Sequence, residues 1–167
     1  RREKNEPSGN HPSLLVVPAS LLGNWRNEAS RFAPSLKLLF IHPAESDRRT
    51  LSEIARSPST HLTDVDLVVT TYTMVGRQAW LSERDWRVVI LDEAQAVKNH
   101  ATGQSKAVRK LRAQARIALT GTPVENNIQE LWSVMSILNP GLLGTKTDFL
   151  KRYRKRVSAG DEDAIDA

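Results

Sequence analysis

Five short apolar runs constrain the fold of this chain more than any other feature of its sequence. They cover residues 14–17, 36–41, 67–69, 88–91 and 117–119, and apart from Lys37 each is continuous rather than alternating. Continuous runs of this length are typical of strands buried on both faces of a parallel sheet. Between the runs, apolar residues recur at helical spacing. This alternation predicts an α/β fold in which a parallel sheet lies between helices.

Polar residues mark where several of these helices begin. Ser20 and Asp47 are placed to cap the first two helices. Thr145, with Asp148 three residues later, is typical of the start of the last one. Trp25 and Trp132 lie on apolar helix faces, and we interpret both as core residues.

Composition excludes several classes of protein. The chain has 167 residues and a mass of 18.7 kDa, which predicts one domain, and it has no cysteine. A disulfide scaffold, a thiol nucleophile and a thiolate metal site are therefore excluded. No apolar run approaches the roughly 18 residues of a membrane span, and no signal peptide is visible, so we expect an intracellular protein without a membrane partner. The net charge of +5 favours an anionic partner.

The chain divides into four predicted segments. Residues 1–13 are interpreted as a linker or frayed arm, and residues 14–140 as the α/β domain. Residues 141–157 form a basic helical extension, and residues 158–167 an acidic tail. The extension contains Arg152, Arg154 and Lys155, which can follow nucleic-acid phosphates or can lie on a solvated helix face.

The sharpest chemical signal is a pair of acids, Asp92 and Glu93, directly after the run at 88–91. Ligands of open α/β sheets bind beyond the carboxyl ends of the strands. A carboxylate at that place can hold Mg²⁺, and a second one beside it can polarise an attacking water. This is the Walker B arrangement of nucleoside triphosphate hydrolysis. The alternative is that the two acids cap the next helix.

Two further groups of polar residues follow apolar runs. Thr120, Gly121 and Thr122 surround a tight turn that can sense a phosphate or contact a nucleic-acid backbone, or that can be a plain strand-to-helix connection. Thr70 and Thr71 end the run at 67–69. Paired threonines there are often only strand formers and helix caps.

Five sequence blocks, in order, resemble the Swi/Snf-type DNA translocases of helicase superfamily two. Residues 14–25 (LLVVPASLLGNW) resemble motif Ia, and residues 66–72 (DLVVTTY) resemble motif Ib. Residues 91–99 (LDEAQAVKN) resemble motif II, the DEAD/DEAH box. Residues 118–127 (ALTGTPVENN) resemble motif III, and Leu131-Trp132 with 138–144 (LNPGLLG) resemble the segment after it. The resemblance extends from about residue 14 to 157.

The resemblance implies a fold and an activity. The fold would be the first RecA-like lobe of a P-loop NTPase. The intact protein would be a DNA-dependent ATPase that uses ATP and Mg²⁺ to move on double-stranded DNA, with a second motor lobe as partner. Asp92 would hold Mg²⁺ through water and Glu93 would activate the attacking water. Gln95 with Thr120, Gly121 and Thr122 would couple nucleotide state to DNA. Phosphate-backbone contacts would come from Ser20, Thr70, Thr71, Lys98 and Asn99.

The sequence also departs from that family. No Gly-x-x-x-x-Gly-Lys-Ser/Thr segment is present, so the phosphate-loop strand is lacking and we expect the isolated chain to be inactive. In the family's sheet that strand pairs with the motif III strand, so residues 115–119 should form an open edge. Position 95 is Gln where the family more often has His. The alternative function is a non-catalytic remnant that docks on DNA or on a protein.

Overall fold

The structure, a computed structural model, describes residues 11–121 and 128–158. In this part of the chain, five strands form one parallel sheet in the order β2-β3-β1-β4-β5. The strands are β1 (Ser13–Val17), β2 (Leu38–Ile41), β3 (Leu67–Thr71), β4 (Asp85–Asp92) and β5 (Arg112–Leu119). Each of the five apolar runs therefore forms all or most of a strand, with β2 starting two residues into its run, and the predicted α/β class is confirmed.

Eight helices flank the sheet in the described residues. They are α1 (Leu22–Phe32), α2 (Arg48–Arg56), α3 (Pro58–His61), α4 (Tyr72–Arg77), α5 (Trp80–Glu83), α6 (Gly103–Lys110), α7 (Ile128–Leu138) and α8 (Lys146–Ser158). Short 3₁₀ segments, Ala19–Leu21 and Ala94–Val97, follow β1 and β4. No helix among residues 11–121 and 128–158 combines the length and the apolar character needed to cross a bilayer.

The core has two parts because β1 is buried on both faces. Leu14 and Val16 belong to the larger cluster, which also takes side chains from α2 and α4–α7. Leu15 and Val17 point to the other face and pack with Leu22 of α1. Successive side chains of a strand point to opposite faces of the sheet. One short apolar strand therefore anchors helices on both sides.

Two predicted helix starts are confirmed. Asp47 accepts a hydrogen bond from the Thr50 amide at 2.9 Å, and its bonds to Thr50 lower the pKa of its carboxyl. Thr145 accepts a hydrogen bond from the Asp148 amide at 3.2 Å, immediately before α8.

The predicted Ser20 cap is wrong. Pro18 starts a 3₁₀ turn, in which the Leu21 amide donates to the Pro18 carbonyl at 3.0 Å. Helix α1 then begins after Leu21 without a side-chain cap, and Ser20 is exposed.

The ordered fold begins slightly earlier in the chain than predicted. Strand β1 starts at Ser13, and the Pro12 carbonyl accepts a hydrogen bond from the Arg87 amide. Residues 12 and 13 therefore belong to the sheet and are not part of a frayed arm. Residues 1–10 and 159–167, which cover most of the predicted arm and tail, lie outside the described residues.

Strand β5 is longer than its apolar run and lies at the edge of the described sheet. It pairs only with β4, and Ile117 and Leu119 are 45% and 38% exposed. Its first residues alternate polar side chains with alanine, a pattern that does not form a continuous apolar run. Residues 115–119 thus have a strand neighbour on one side only within the described sheet, as predicted.

This edge predicts uneven backbone protection. In the monomeric chain, amides of residues 115–119 should exchange with solvent on the order of tenfold faster than those of 14–17, because β1 is paired on both sides. A longer form of the protein that supplies the missing strand should slow exchange at 115–119 alone. Hydrogen exchange followed by NMR measures both. Equal protection of the two strands in the monomeric chain would contradict the open edge.

Candidate functional site

The carboxyl ends of the parallel strands bring the predicted site residues to one rim. Asp92 ends β4, Thr120 follows β5, and Ser20 lies in the turn after β1. Helix α1 covers one face of the sheet there, whereas α4 and α6 contribute to the core on the other face. Such a change of face between neighbouring strands opens a crevice where α/β proteins bind ligands.

Asp92 is held through three of its oxygens. Its Oδ1 accepts from the Glu93 amide at 3.0 Å, and its Oδ2 accepts from Trp25 Nε1 at 2.7 Å. Its backbone carbonyl accepts from the Tyr72 hydroxyl at 2.7 Å. The carboxylate is therefore fixed in orientation while it stays partly exposed.

Tyr72 lies beneath this carboxylate and is 3% exposed. Burial raises the pKa of its hydroxyl, and the nearby charges of Asp92 and Glu93 raise it further. The hydroxyl consequently stays protonated at neutral pH and remains a hydrogen-bond donor to the Asp92 carbonyl.

Glu93 has an unusual backbone. Its φ of 52° and ψ of 56° are left-handed, and no other described residue apart from glycine has a positive φ. This conformation costs a residue with a Cβ roughly 1–2 kcal/mol. It turns the chain from β4 into a 3₁₀ segment, and Glu93 makes no side-chain capping bond to that segment. The two acids therefore do not act as a helix cap.

Side-chain hydrogen bonds connect the ends of β4 and β5. Gln95 Nε2 donates to Glu93 Oε2 at 2.5 Å, and Thr120 Oγ1 donates to Gln95 Oε1 at 2.8 Å. The amide of Gln95 thus bridges Glu93 and the first residue after β5. Gly121 is exposed and has no positive φ, and Thr122 lies outside the described residues.

Thr70 and Thr71 differ from their prediction as phosphate contacts. Thr70 is fully buried and donates to the Ile41 carbonyl at 2.8 Å. Thr71 is 3% exposed and accepts from the Met74 amide at the start of α4. Both hydroxyls are used inside the fold, which agrees with the alternative that they are strand formers and caps.

The other predicted DNA contacts lie at the surface. Lys98 and Asn99 are exposed beside a groove of about 550 Å³, also lined by His100, Trp132 and Lys146. Lys98 pairs with Glu130 at 3.2 Å, and Asn99 Oδ1 accepts from the Ala101 amide at 3.0 Å. Arg152 is exposed on α8; the side chains of Arg154 and Lys155 lie outside the described residues.

Two basic residues, Arg109 of α6 and Arg116 of β5, serve packing. Arg109 donates to the Ser136 hydroxyl at 2.8 Å, and Arg116 donates to the Ile137 carbonyl at 3.1 Å. Partial burial lowers the pKa of both guanidinium groups, which still remain charged at neutral pH. Arg109 therefore connects α7 to α6, Arg116 connects α7 to β5, and neither arginine is on a fully solvated face.

Sequence reasoning missed Trp25 and Tyr72 as neighbours of the acidic pair. The sequence predicts a core position for Trp25, and its ring does pack against the smaller core cluster. Its partner lies 67 positions along the chain, so no local spacing indicates the hydrogen bond. Only the sheet topology brings the two residues together.

The residues at the rim fit a magnesium ion that is shared with a nucleotide. Each oxygen of the Asp92 carboxylate accepts one hydrogen bond and keeps a further lone pair. The described residues hold no cluster of three or more His, Asp and Glu side chains able to bind a metal alone. Mg²⁺ usually takes one or two protein carboxylates and completes its shell with water and substrate phosphates.

The parallel sheet and the acidic pair at its carboxyl rim define a RecA-like lobe of the helicase class. The family model described as "SNF2-related domain" matches residues 1–166. The chain therefore belongs to the SNF2-related family, and its architecture is that of the first motor lobe.

Curated and structural relatives agree with this assignment. The chain is 38% identical over 149 residues to TATA-binding protein-associated factor MOT1 of Saccharomyces cerevisiae, covering 89% of this chain and 8% of that protein. It is 41% identical over 143 residues to the putative ATP-dependent helicase/translocase YwqA of Bacillus subtilis, covering 85% of this chain and 15% of that protein. The solved SWI2/SNF2 ATPase core of Sulfolobus solfataricus in complex with dsDNA matches at a TM-score of 0.74 and 41% identity. That match covers 90% of this chain and 30% of the solved one.

The chain spans only a small part of these relatives, between 8% and 15% of the length of the two curated proteins.

The left-handed backbone at Glu93 predicts that glycine at this position is more stable than alanine, the reverse of their usual order. Glu93→Gly should be more stable to unfolding than Glu93→Ala by about 1 kcal/mol, because glycine adopts positive φ without steric cost. Both variants lose the same carboxylate, so each controls for the other. Urea unfolding measures the difference. A glycine variant that is less stable than the alanine variant would show that residue 93 is not left-handed.

Proposed function

We propose that this chain is most of the first motor lobe of a Swi/Snf-type, DNA-dependent ATPase, and that the intact protein couples ATP hydrolysis to movement on double-stranded DNA. The observation that carries the proposal is the hydrogen-bonded connection Glu93–Gln95–Thr120 at the carboxyl rim. It joins a Walker B acid to the neighbouring strand end, as a motor that senses its nucleotide requires. Because ATP and DNA are found inside the cell, we expect the intact protein to act there.

Asp92 and Glu93 have different tasks in the proposed reaction. Asp92 would hold Mg²⁺ through water, with a carboxylate whose orientation is already fixed by two hydrogen bonds. When bound, Mg²⁺ neutralises charge on the β- and γ-phosphates of ATP. Glu93 lies beside Asp92 and orients the attacking water, and it accepts a proton from that water as the water oxygen bonds to the γ-phosphorus. The bond from the γ-phosphorus to the bridging oxygen breaks in the same reaction, so ADP leaves with the electron pair and phosphate is released. The hydrogen bond from Gln95 restrains the Glu93 carboxylate.

Gln95 and Thr120 carry the proposed coupling, together with Gly121 and Thr122. A shift of Glu93 between nucleotide states moves Gln95, and Gln95 moves Thr120 through a 2.8 Å hydrogen bond. Thr120 follows β5 directly, so the shift reaches the loop beyond it. The intact protein transmits this movement to its second motor lobe.

DNA is the proposed track, bound through its phosphates. The candidate contacts are the exposed Ser20, Lys98, Asn99 and Arg152, with Arg154 and Lys155 on the same helix. The Sulfolobus solfataricus core, 41% identical to this chain, was solved in complex with dsDNA, which supports the proposal. Phosphate contacts carry no base information, so binding is expected to be independent of sequence.

Hydrolysis should depend on Glu93 only where the phosphate loop is present. The 167-residue chain should hydrolyse no ATP above background, since no Walker A segment occurs in it. In the full-length protein, Glu93→Gln should lower the DNA-stimulated rate at least about 100-fold, in the range of general-base catalysis, and leave nucleotide binding intact. Phosphate release measures both. Turnover by the 167-residue chain that Glu93→Gln abolishes would refute the first expectation. A full-length protein without ATPase activity would favour the non-catalytic docking module.

The basic helix α8 predicts strongly salt-dependent DNA binding. Reversing the charges of Arg152, Arg154 and Lys155 should weaken binding at low salt. It should also reduce the slope of log K against log salt by about three, one for each lost phosphate contact. The matched control reverses Arg48, Arg49 and Arg56, three exposed arginines of α2. Fluorescence anisotropy with two unrelated duplexes measures affinity. Equal effects of the two triple variants would place the α8 charges on a solvated face.

A further inference from the structure

We propose that Trp25 is a positioning residue, whose indole N–H holds the Asp92 carboxylate in the orientation that receives Mg²⁺. The proposal rests on the proposed function, since it concerns the magnesium site of that same ATPase. It assigns a role in metal binding to a side chain of α1 that neither holds the metal nor touches the nucleotide.

The geometry of the contact supports a strong hydrogen bond. Trp25 Nε1 lies 2.7 Å from Asp92 Oδ2, at the short end of the range for N–H donors. Hydrogen bonds to an ionised acceptor are shorter and stronger than neutral ones. The Trp25 ring packs against the cluster of Leu15, Val17, Leu22 and Val69, so its N–H has little freedom to turn away.

The chemistry of indole suits this position. Its nitrogen is a donor only and has no lone pair to offer a cation. Trp25 therefore cannot compete with water or nucleotide for Mg²⁺, and it leaves the second lone pair of Oδ2 free. An amide or imidazole side chain at the same place would present acceptor atoms to the metal as well.

Three elements together fix Asp92. The Glu93 amide binds Oδ1 and Trp25 binds Oδ2, so the plane of the carboxylate is set at both ends. Tyr72, from α4, binds the backbone carbonyl of the same residue. Trp25 Nε1 donates to Oδ2, and without this bond the carboxylate can rotate away from its metal-facing orientation.

The test uses the full-length protein with Trp25→Phe, which keeps an aromatic ring and removes the donor. The readout is binding of a fluorescent ADP analogue at increasing Mg²⁺ concentration. Loss of a residue that orients a metal ligand typically lowers metal affinity 10–100-fold; for a water-mediated contact we expect the lower end. The Mg²⁺ concentration at half-saturation should rise about tenfold, whereas affinity for the analogue without Mg²⁺ should not change.

The matched control is Trp86→Phe. Trp86 lies at the start of β4, the strand that Asp92 ends, and its Nε1 donates to the Leu81 carbonyl at 2.7 Å. This variant loses an indole N–H from the same strand and should leave the Mg²⁺ dependence unchanged. Benzothienylalanine at position 25 keeps the shape of tryptophan without the N–H, and it should reproduce the shift if Trp25→Phe does not fold.

Combination with Asp92→Asn separates the possible failures. If Trp25 acts through the Asp92 carboxylate, Trp25→Phe should add no shift in the Asp92→Asn background. An equal additional shift there would overturn the inference. If Asp92→Asn raises the Mg²⁺ requirement and neither variant at position 25 does, the positioning role is wrong and the proposed function stands. If Asp92→Asn itself has no effect on Mg²⁺ dependence, the proposed function fails.

Discussion

The burial of β1 on both faces is the constraint on which the rest of the structure depends. Its residues Leu14–Val17 are at most 1% exposed, and β3 and β4 pair on either side of it. Because it is paired on both sides and buried on both faces, its register with β4 is tightly specified. Val16 lies opposite Leu91, so Asp92 is the first residue of β4 beyond the shared register. The position of the acidic pair is thus set by core packing.

Because β1 is buried on both faces, helices pack on both faces of the sheet, and one side chain from each layer contacts Asp92. Helix α1 lies against the face formed by Leu15 and Val17, and it contributes Trp25. The opposite face carries α4, which contributes Tyr72. Both aromatic side chains donate to Asp92, one to its carboxylate and the other to its carbonyl. Any shift between the two layers would therefore change the hydrogen bonds of this residue.

The sequence alone predicts what depends on local pattern. Continuous apolar runs indicated the strands, and Asp47 indicated its helix start, because burial and capping act within a few residues. Contacts between distant segments were not predictable: neither Trp25 nor Tyr72 has a local signal for its bond to Asp92. Thr70 and Thr71 show the converse. Their motif resembles one that contacts DNA, but strand pairing and a helix start already use both hydroxyls.

Glutamine at position 95 has a physical consequence for the connection between β4 and β5. Its amide offers a donor to Glu93 and an acceptor to Thr120 at the same time, and neither group titrates. Neutral histidine can also donate through one ring nitrogen and accept through the other. Protonation near its ordinary pKa of roughly 6.5 would turn that acceptor into a second donor, so the Thr120 hydroxyl could then only accept from the ring and no longer donate to it. The glutamine therefore keeps the direction of both hydrogen bonds constant across the pH range in which a histidine would reverse the one to Thr120.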